Sequence, residues 1–292
     1  MSLQASFATV AREGGRGALV TVVEGPGNRA ADGSSPAALA APSRVNGSDA
    51  AAPGRTRAPT PAVPPALGAK LLVRSDGTFE GSLGDPELDS RAMTHAEELM
   101  WAERSELRAE GVVLLFVDVT APPPRLVLFG AVDFAAALCR MARAAGWRPY
   151  VVDPRARFAT RERFPDAEEI ITSWPAEAFA HLGIDRATYV AVLTHDPKLD
   201  DAALTTALAS DAPYIGAMGS RRAQEARRDR LLALGVHEEQ LGRIAAPIGL
   251  DLGGLTAEET ALSVMAEIVA VRNGREGGRL RHAAGRIHEV GT

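Results

Sequence analysis

Residues 125–152 read RLVLFGAVDFAAALCRMARAAGWRPYVV, and this stretch decides the fold. Its apolar runs at Arg125–Phe129 and Trp147–Val152 are typical of buried strands, and apolar residues at helical spacing between them predict a helix over Asp133–Ala145. A buried strand, an amphipathic helix and a second buried strand form the repeating unit of a parallel sheet.

The same alternation continues towards the C-terminus. It predicts strands at Glu169–Thr172, Thr188–Leu193 and Pro213–Ala217, and helices at Pro175–Leu182, Asp200–Ser210 and Arg221–Leu234. A last helix is marked by a capping box of Thr256 and Glu259 and by the stop signal Asn273-Gly274. Residues 125–272 therefore predict an α/β domain with a Rossmann-like, doubly wound parallel sheet.

A smaller α+β domain is predicted over residues 1–120. Its expected elements are strands Ala18–Glu24, Ala69–Arg74, Thr78–Leu83 and Val112–Val119, and a helical segment Pro86–Leu107. Ala, Pro, Gly and Ser dominate residues 25–66, so we expect a disordered insertion there. Pro122-Pro123-Pro124 marks a stiff boundary, and residues 273–292 form an expected flexible tail.

Composition excludes several classes of protein. The 292 residues hold 32 Lys and Arg against 37 Asp and Glu, and a net charge of -5 disfavours broad nucleic-acid binding. Apolar runs are too short to span a membrane, so no membrane association is expected. One cysteine cannot form an intramolecular disulfide or a Cys-based metal site, and the N-terminal residues lack an apolar secretory segment. We expect a cytoplasmic protein.

Ligands of open α/β sheets bind at the loops that leave the carboxyl ends of the strands. The first such loop, Gly130 to Ala135, has the position of a dinucleotide fingerprint, but Val132 occupies the place where a glycine lets the backbone approach a pyrophosphate. Asp133 adds a carboxylate that opposes a phosphate. NAD(P) binding is therefore not expected. Asp153 either holds a ribose hydroxyl or only forms the turn before Pro154.

The second loop is Thr194 to Lys198, with His195 and Asp196 at the ligand edge of the sheet. These two side chains either serve as an acid–base pair or as ligands, or the hydroxyl and carboxylate of this loop only cap the helix that follows.

The third loop, Gly216 to Arg222, carries the strongest local signal. Gly219, Ser220, Arg221 and Arg222 lie where a helix begins, and helix N–H groups together with guanidinium groups bind phosphates and other oxyanions. The alternative is a solvated basic first turn, although cations there oppose the helix dipole.

The fourth loop, Pro247 to Gly254, is rich in glycine and leads into the last helix. Gly249 and Gly253 either allow close approach of a ligand to the backbone or only provide turn conformations. With these alternatives open, no residue of the four loops is assigned a catalytic or metal-ligating role.

Three motifs in this order, THDPKLDDAAL (194–204), YIGAMGSRR (214–222) and APIGLDLGGLTAEETALSVMAEIVA (246–270), resemble the C-terminal domain of the XdhC/CoxI family. These are accessory proteins that mature molybdenum hydroxylases such as xanthine dehydrogenase. The likeness covers residues 125–272. Residues 67–90 resemble the family's N-terminal stretch, but Gly84-Asp85-Pro86 stand where a turn and a cysteine are expected, and a Gly-Cys-Gly element before Val112 is missing.

The resemblance implies transient binding of the molybdenum cofactor, a phosphorylated pterin dithiolene also called molybdopterin. It implies delivery to a molybdenum hydroxylase client, sulfuration with a cysteine desulfurase, and a homodimer. The missing cysteines leave the sulfuration step without its family residues, and Cys139, in the middle of a predicted helix, reads as a small buried hydrophobe.

Two functions remain in competition. We favour a cofactor chaperone without turnover of its own, which needs an anion site and a partner surface. The alternative is an NAD(P)-dependent oxidoreductase or a nucleotidyl transferase on the Rossmann-like domain. Val132 separates them, because a dehydrogenase needs the space under its pyrophosphate.

Overall fold

A computed structural model of the chain describes residues 2–25 and 65–283. The chain divides into two compact units, one ending at Pro122 and the other beginning at Pro123. Nearly all of the predicted insertion at residues 25–66, and the last nine residues of the predicted tail, lie outside the described residues.

The first unit is a five-stranded antiparallel sheet with helices. Its elements are α1 (Leu3–Arg12), β1 (Gly17–Glu24), β2 (Lys70–Arg74), β3 (Phe79–Ser82), α2 (Pro86–Ala102), β4 (Glu106–Glu110) and β5 (Val113–Thr120). The strand order is β3-β2-β1-β5-β4. Helix α2 buries Leu88, Ala92, Ala96 and Leu99 at helical spacing, in one core with residues of β1, β2 and β5.

The predicted helix over Pro86–Leu107 is wrong at its C-terminal end. Helix α2 stops at Ala102 because Glu103 adopts a left-handed conformation with φ 54°, and its N–H donates to Leu99 O. Glu106–Glu110 then forms β4, whose residues alternate between half-buried and exposed along β5. This period of two is that of a strand at the edge of a sheet. Helix α1 was not predicted.

The second unit is a six-stranded sheet in which every paired strand is parallel. Its elements are β6 (Arg125–Phe129), α3 (Asp133–Ala144), β7 (Arg148–Val152), β8 (Glu169–Ile171), α4 (Pro175–Leu182), β9 (Thr188–Val192), α5 (Pro197–Leu208), β10 (Tyr214–Ala217), α6 (Arg221–Ala233), α7 (Glu238–Leu241), β11 (Ile244–Ala245), α8 (Ala257–Arg272) and a 3-10 turn, Leu280–His282. The strand order is β11-β10-β9-β6-β7-β8.

This order is the Rossmann order, with β6 as the first strand. The chain winds from β6 through β7 to β8 on one side, then returns to β9 and winds through β10 to β11 on the other. The direction of winding reverses between β6 and β9, and ligands bind at such a switch point. The predicted fold class, a Rossmann-like parallel sheet preceded by an α+β domain, is confirmed.

Both faces of this sheet are covered by helices. Leu126 and Leu128 of β6 pack in one core with α3 and α8, whereas Val127 and Phe129 pack in a second core with α4, α5 and α6. A strand buried on both faces has no polar alternation, which explains the continuous apolar runs of the sequence.

Two details differ from the predictions in this unit. Helix α5 begins at Pro197 rather than Asp200, because Asp196 caps it and proline favours the first helical position. The short elements α7 and β11 were not predicted. Within the described residues no helix is both long and apolar enough to cross a bilayer.

Candidate functional site

The loops that leave β6 and β9 meet at the switch point. Gly130, directly after β6, has φ +107°, and a Cβ at this position would lie 2.5 Å from Thr194 Cγ2 and 3.1 Å from Thr194 N. Only glycine fits both this conformation and this close approach. The predicted site residue Gly130 therefore brings the first two loops into contact.

Asp153, at the end of β7, lies beneath the first loop and is fully buried. Its Oδ2 accepts from Ala131 N (2.9 Å) and Arg155 Nη2 (2.8 Å), and its Oδ1 accepts from Arg155 N and Nε (both 2.9 Å). A carboxylate offers about four acceptor positions, so these bonds use its capacity. Asp153 thus connects the first loop to the loop after β7. In this conformation it leaves no acceptor for a ribose hydroxyl.

The pKa of Asp153 follows from these contacts. Burial on its own raises the pKa, but the hydrogen bonds from Arg155 and Ala131 outweigh it and hold the pKa below its usual value. The pKa of Arg155 is raised, chiefly by its bonds to Asp153 and in smaller part by the Asp196 carboxylate. The loop after β7 therefore lies within electrostatic range of the loop after β9.

Val132 and Asp133 begin helix α3. Val132 is the N-cap, makes no side-chain cap bond and packs partly buried against the core. The exposed Asp133 carboxylate accepts from Arg163 Nη2 (2.8 Å), while Arg163 Nη1 donates to Ala131 O (2.9 Å). An apolar side chain and a carboxylate thus occupy the helix end where a dinucleotide fingerprint needs open backbone.

In the second loop, Asp196 caps α5 by accepting from Lys198 N (3.0 Å), so the capping interpretation holds for this residue. The Thr194 hydroxyl accepts from Asp196 N (3.1 Å) and donates to Asp200 Oδ1. His195 is exposed, and no hydrogen bond engages its ring within the part of the chain that the structure describes. Its imidazole is available at the sheet edge.

The third loop leads into α6. Ser220 is the N-cap and accepts from Ala223 N (3.3 Å). Gly219 has φ +131° and lies close to Ala223 and Gln224. Arg221 and Arg222 are exposed, and neither guanidinium forms an ion pair or hydrogen bond with any described residue. Their backbone N–H groups belong to the first helical turn, where no carbonyl of the helix can accept them.

A buried ion pair connects the second loop to the third. Arg227 Nη2 donates to Asp200 Oδ2 (3.0 Å) and to Met218 O (2.7 Å), and the Arg227 and Asp200 side chains are 6% and 4% exposed. Burial raises the pKa of Asp200, while the bonds from Thr194 and Arg227 oppose this rise. The chain Thr194–Asp200–Arg227–Met218 therefore fixes the two loops relative to each other.

The fourth loop packs on α8 instead. Gly249 has φ +100°, its N–H donates to Glu267 Oε2 (2.8 Å), and a Cβ there would lie 2.5 Å from Ser263 Oγ. Close packing of the backbone against α8 accounts for this glycine. Gly253 has φ +68° with open space around the position of a side chain, so it serves as a turn.

Sequence reasoning missed the residues that hold the loops. Arg155 follows Asp153 by two positions, a spacing typical of a local side-chain turn, and offered a weak signal. Arg227 and Asp200 lie 27 positions apart within highly charged segments, and nothing in the pattern distinguishes them from solvent-exposed residues. No group of His, Cys, Asp or Glu among the described residues is arranged to hold a metal ion.

Family models match both parts of this chain. A family model described as the XdhC Rossmann domain matches residues 126–268, and one described as the XdhC and CoxI family matches residues 54–110. Together they cover about two thirds of the chain.

Three curated relatives match. "Uncharacterized protein YqeB" of Escherichia coli is 28% identical over 73% of this chain and 42% of its own length. A probable xanthine dehydrogenase subunit of Bacillus subtilis is 31% identical over 54% of this chain and 46% of its own length. "Molybdenum cofactor insertion chaperone PaoD" of Escherichia coli is 31% identical over 52% and 41%. The chain spans less than half the length of each relative. With both family models matched in chain order, the chain belongs to the XdhC and CoxI family.

Proposed function

We propose that the chain is an accessory protein that binds the molybdenum cofactor transiently and assists the maturation of a molybdenum hydroxylase. Family membership supports this role, as does a relative whose name describes insertion of the molybdenum cofactor. The single observation that carries the proposal is the pair of exposed arginines at the N-terminus of α6, which have no ion-pair partner among the described residues.

The third loop fits the phosphate of the cofactor. Arg221 and Arg222 supply guanidinium donors, the first turn of α6 supplies N–H groups, and the helix dipole favours an anion there. Two cations at a helix N-terminus are unfavourable without a counter-charge, so a bound anion resolves the conflict. Ser220 contributes through the helix cap rather than through a free hydroxyl oxygen.

The polar part of the pterin would meet the second loop. His195 offers an exposed imidazole and Asp196 a partly exposed carboxylate at the same edge of the sheet. Pterin rings present both hydrogen-bond donors and acceptors, which these two side chains complement. When bound, the cofactor supplies the metal chemistry of the client enzyme. The residues of this chain would bind the cofactor and orient it.

Cys139 takes no part in this scheme. The side chain is buried in the core, and burial raises the pKa of its thiol to about 11, so almost no thiolate forms at neutral pH. We infer that any sulfur transferred to the cofactor comes from a partner such as a cysteine desulfurase. The client enzyme, a homodimer and a cytoplasmic location are further parts of the proposal.

One observation favours the alternative. The strand order is that of enzymes that bind dinucleotides, so an NAD(P)-dependent oxidoreductase or nucleotidyl transferase is the second candidate. Against it, Val132 stands where the dinucleotide fingerprint has a glycine, and the acceptor capacity of Asp153 is used within the protein.

Purification from a molybdenum-replete host tests the proposal. We expect the protein to retain molybdenum and pterin, and the loaded protein to activate the apo-form of a molybdenum hydroxylase faster than the same amount of free cofactor does. A protein that retains neither molybdenum nor pterin when isolated without oxygen, and that does not speed activation, would contradict the proposed role.

A further inference from the structure

A partly open cavity of about 350 Å³ lies beside β11, between α6 and α7. Its volume falls in the range of small-molecule sites. Four of its lining residues are apolar: Leu231 of α6, Leu241 of α7, and Ile244 and Ala246 of the β11 segment. Such a surface suits the apolar body of a small organic molecule. The cavity includes none of the residues from Gly219 to Arg222, so it is separate from the proposed phosphate site.

Charged residues also line the cavity. Arg228 forms an ion pair with Glu238, and the two side chains are 48% and 61% exposed. Arg227 lines a buried part of the wall. Its Nη atoms are bonded to Gln224, Asp200 and Met218, whereas its buried Nε has no partner among the described residues. Because this Nε is buried and Asp200 neutralises the guanidinium, Arg227 forms part of the wall, and the exposed Arg228 carries the charge that a ligand can reach.

We propose that this cavity binds a small amphipathic organic anion. Its apolar body lies against Leu231, Leu241 and Ile244, and its carboxylate, sulfonate or phosphate group takes the place of the Glu238 carboxylate on Arg228. Glu238 already shows that an anionic oxygen is held at this position. Arg227 is neutralised by Asp200, so the charge that a ligand can meet is that of Arg228 once Glu238 is displaced, and a guanidinium group favours an anion over a cation.

Two fluorescent probes of the same ring system separate charge from apolar surface. The probes are 1-anilinonaphthalene-8-sulfonate and the neutral N-phenyl-1-naphthylamine, titrated into the whole protein. We expect the sulfonate to bind at least about fivefold more tightly than the neutral amine, because only the sulfonate engages Arg228. Added salt should weaken binding of the sulfonate and leave binding of the neutral amine unchanged.

Substitutions at the ion pair should shift the sulfonate affinity in opposite directions. Arg228→Gln removes the anion partner and should weaken binding about threefold or more, whereas Glu238→Gln removes the competing carboxylate and should strengthen it by a similar factor. Glu239→Gln makes the same charge change on the same helix and is the control for Glu238. Arg140→Gln breaks a similarly exposed ion pair with Glu258 and is the control for Arg228.

Filling the cavity provides an independent check. Ala246→Leu adds volume at the apolar wall and should abolish binding of the sulfonate. If this variant fails to fold, the opposite shifts at Arg228 and Glu238 still decide the matter. Equal affinity for both probes, shifts in the same direction at Arg228 and Glu238, control variants that match them, or no sulfonate binding at millimolar concentration would each overturn the proposal.

Discussion

Arginines lie in two loops at the same edge of the parallel sheet, but only one of these loops neutralises its arginine with a carboxylate. Arg155, after β7, is bound by the buried Asp153 through three hydrogen bonds. Arg221 and Arg222, after β10, have no such partner among the described residues. The loop after β7 neutralises its arginine within the protein, whereas the third loop presents its charge to solvent. A cation in a ligand-edge loop thus indicates a site only when no strand-end carboxylate neutralises it.

The difference arises from where the carboxylates lie. Asp153 ends β7 and reaches both the first loop and Arg155. Beside the third loop the corresponding buried carboxylate is Asp200, but it pairs with Arg227, two turns into α6. Arg227 therefore supports the loop, and the two arginines at the helix start stay available for an anion.

Removing the buried ion pair of Arg227 and Asp200 should have the largest effect on the free energy of unfolding. Arg227→Met leaves the Asp200 carboxylate buried without its partner, and removing one member of a buried ion pair costs about 3–5 kcal/mol. Urea unfolding measures the loss. Arg230→Met is the control, because its partner Asp201 belongs to a more exposed pair, and the cost there should be about 1 kcal/mol. Equal losses for the two variants would show that Arg227 has no special role.

Removing the Asp153 carboxylate should lower the free energy of unfolding by a smaller amount. Asp153→Asn removes the charge that holds Arg155 and Ala131, with an expected loss of about 1–3 kcal/mol at pH 7. Because the folded pKa of Asp153 is lowered, its contribution is present above the unfolded pKa and is lost as pH falls through the folded pKa. The difference between parent and variant should therefore shrink in acid. Asp133→Asn, at an exposed carboxylate where the first loop enters α3, should change stability little at either pH.

A smaller effect is expected at Val132. Val132→Gly opens the turn to a pyrophosphate, and glycine is tolerated at a helix N-cap, so the fold should lose about 1 kcal/mol or less. Titration followed by the fluorescence of NADPH should show weak binding to the parent and several-fold tighter binding to the variant. Sub-micromolar binding by the parent protein would support the dinucleotide enzyme instead.

The fold was predictable because its signals are local and repeated. Apolar runs such as Arg125–Phe129, and caps such as Thr256 with Glu259 and Ser220, lie where the structure has strands and helix starts. Strand β4 was missed because the left-handed turn at Glu103 occurs at a residue type that rarely marks a helix end.

The loops of the site were predictable by position but not by the bonding of their side chains. Asp153 has the same sequence signature whether it binds a ribose or the N–H of Ala131, which is 22 positions away. Likewise the glycine pattern did not show that Gly130 and Gly249 serve packing against Thr194 and Ser263. Such roles depend on contacts between distant segments, which periodicity and spacing do not encode.

Binding of the molybdenum cofactor by the variant Arg221→Ala/Arg222→Ala tests the central claim most directly. Charge-assisted hydrogen bonds contribute about 1.5–3 kcal/mol each, so anaerobic titration should show affinity weakened by about two decades or more. The free energy of unfolding obtained from thermal melts should change by less than about 1 kcal/mol, because neither arginine has a protein partner in the described residues. Arg140→Ala/Arg275→Ala removes the same charge elsewhere and should bind as the parent does. A double variant at Arg221 and Arg222 that melts normally and keeps the parental affinity would contradict the account.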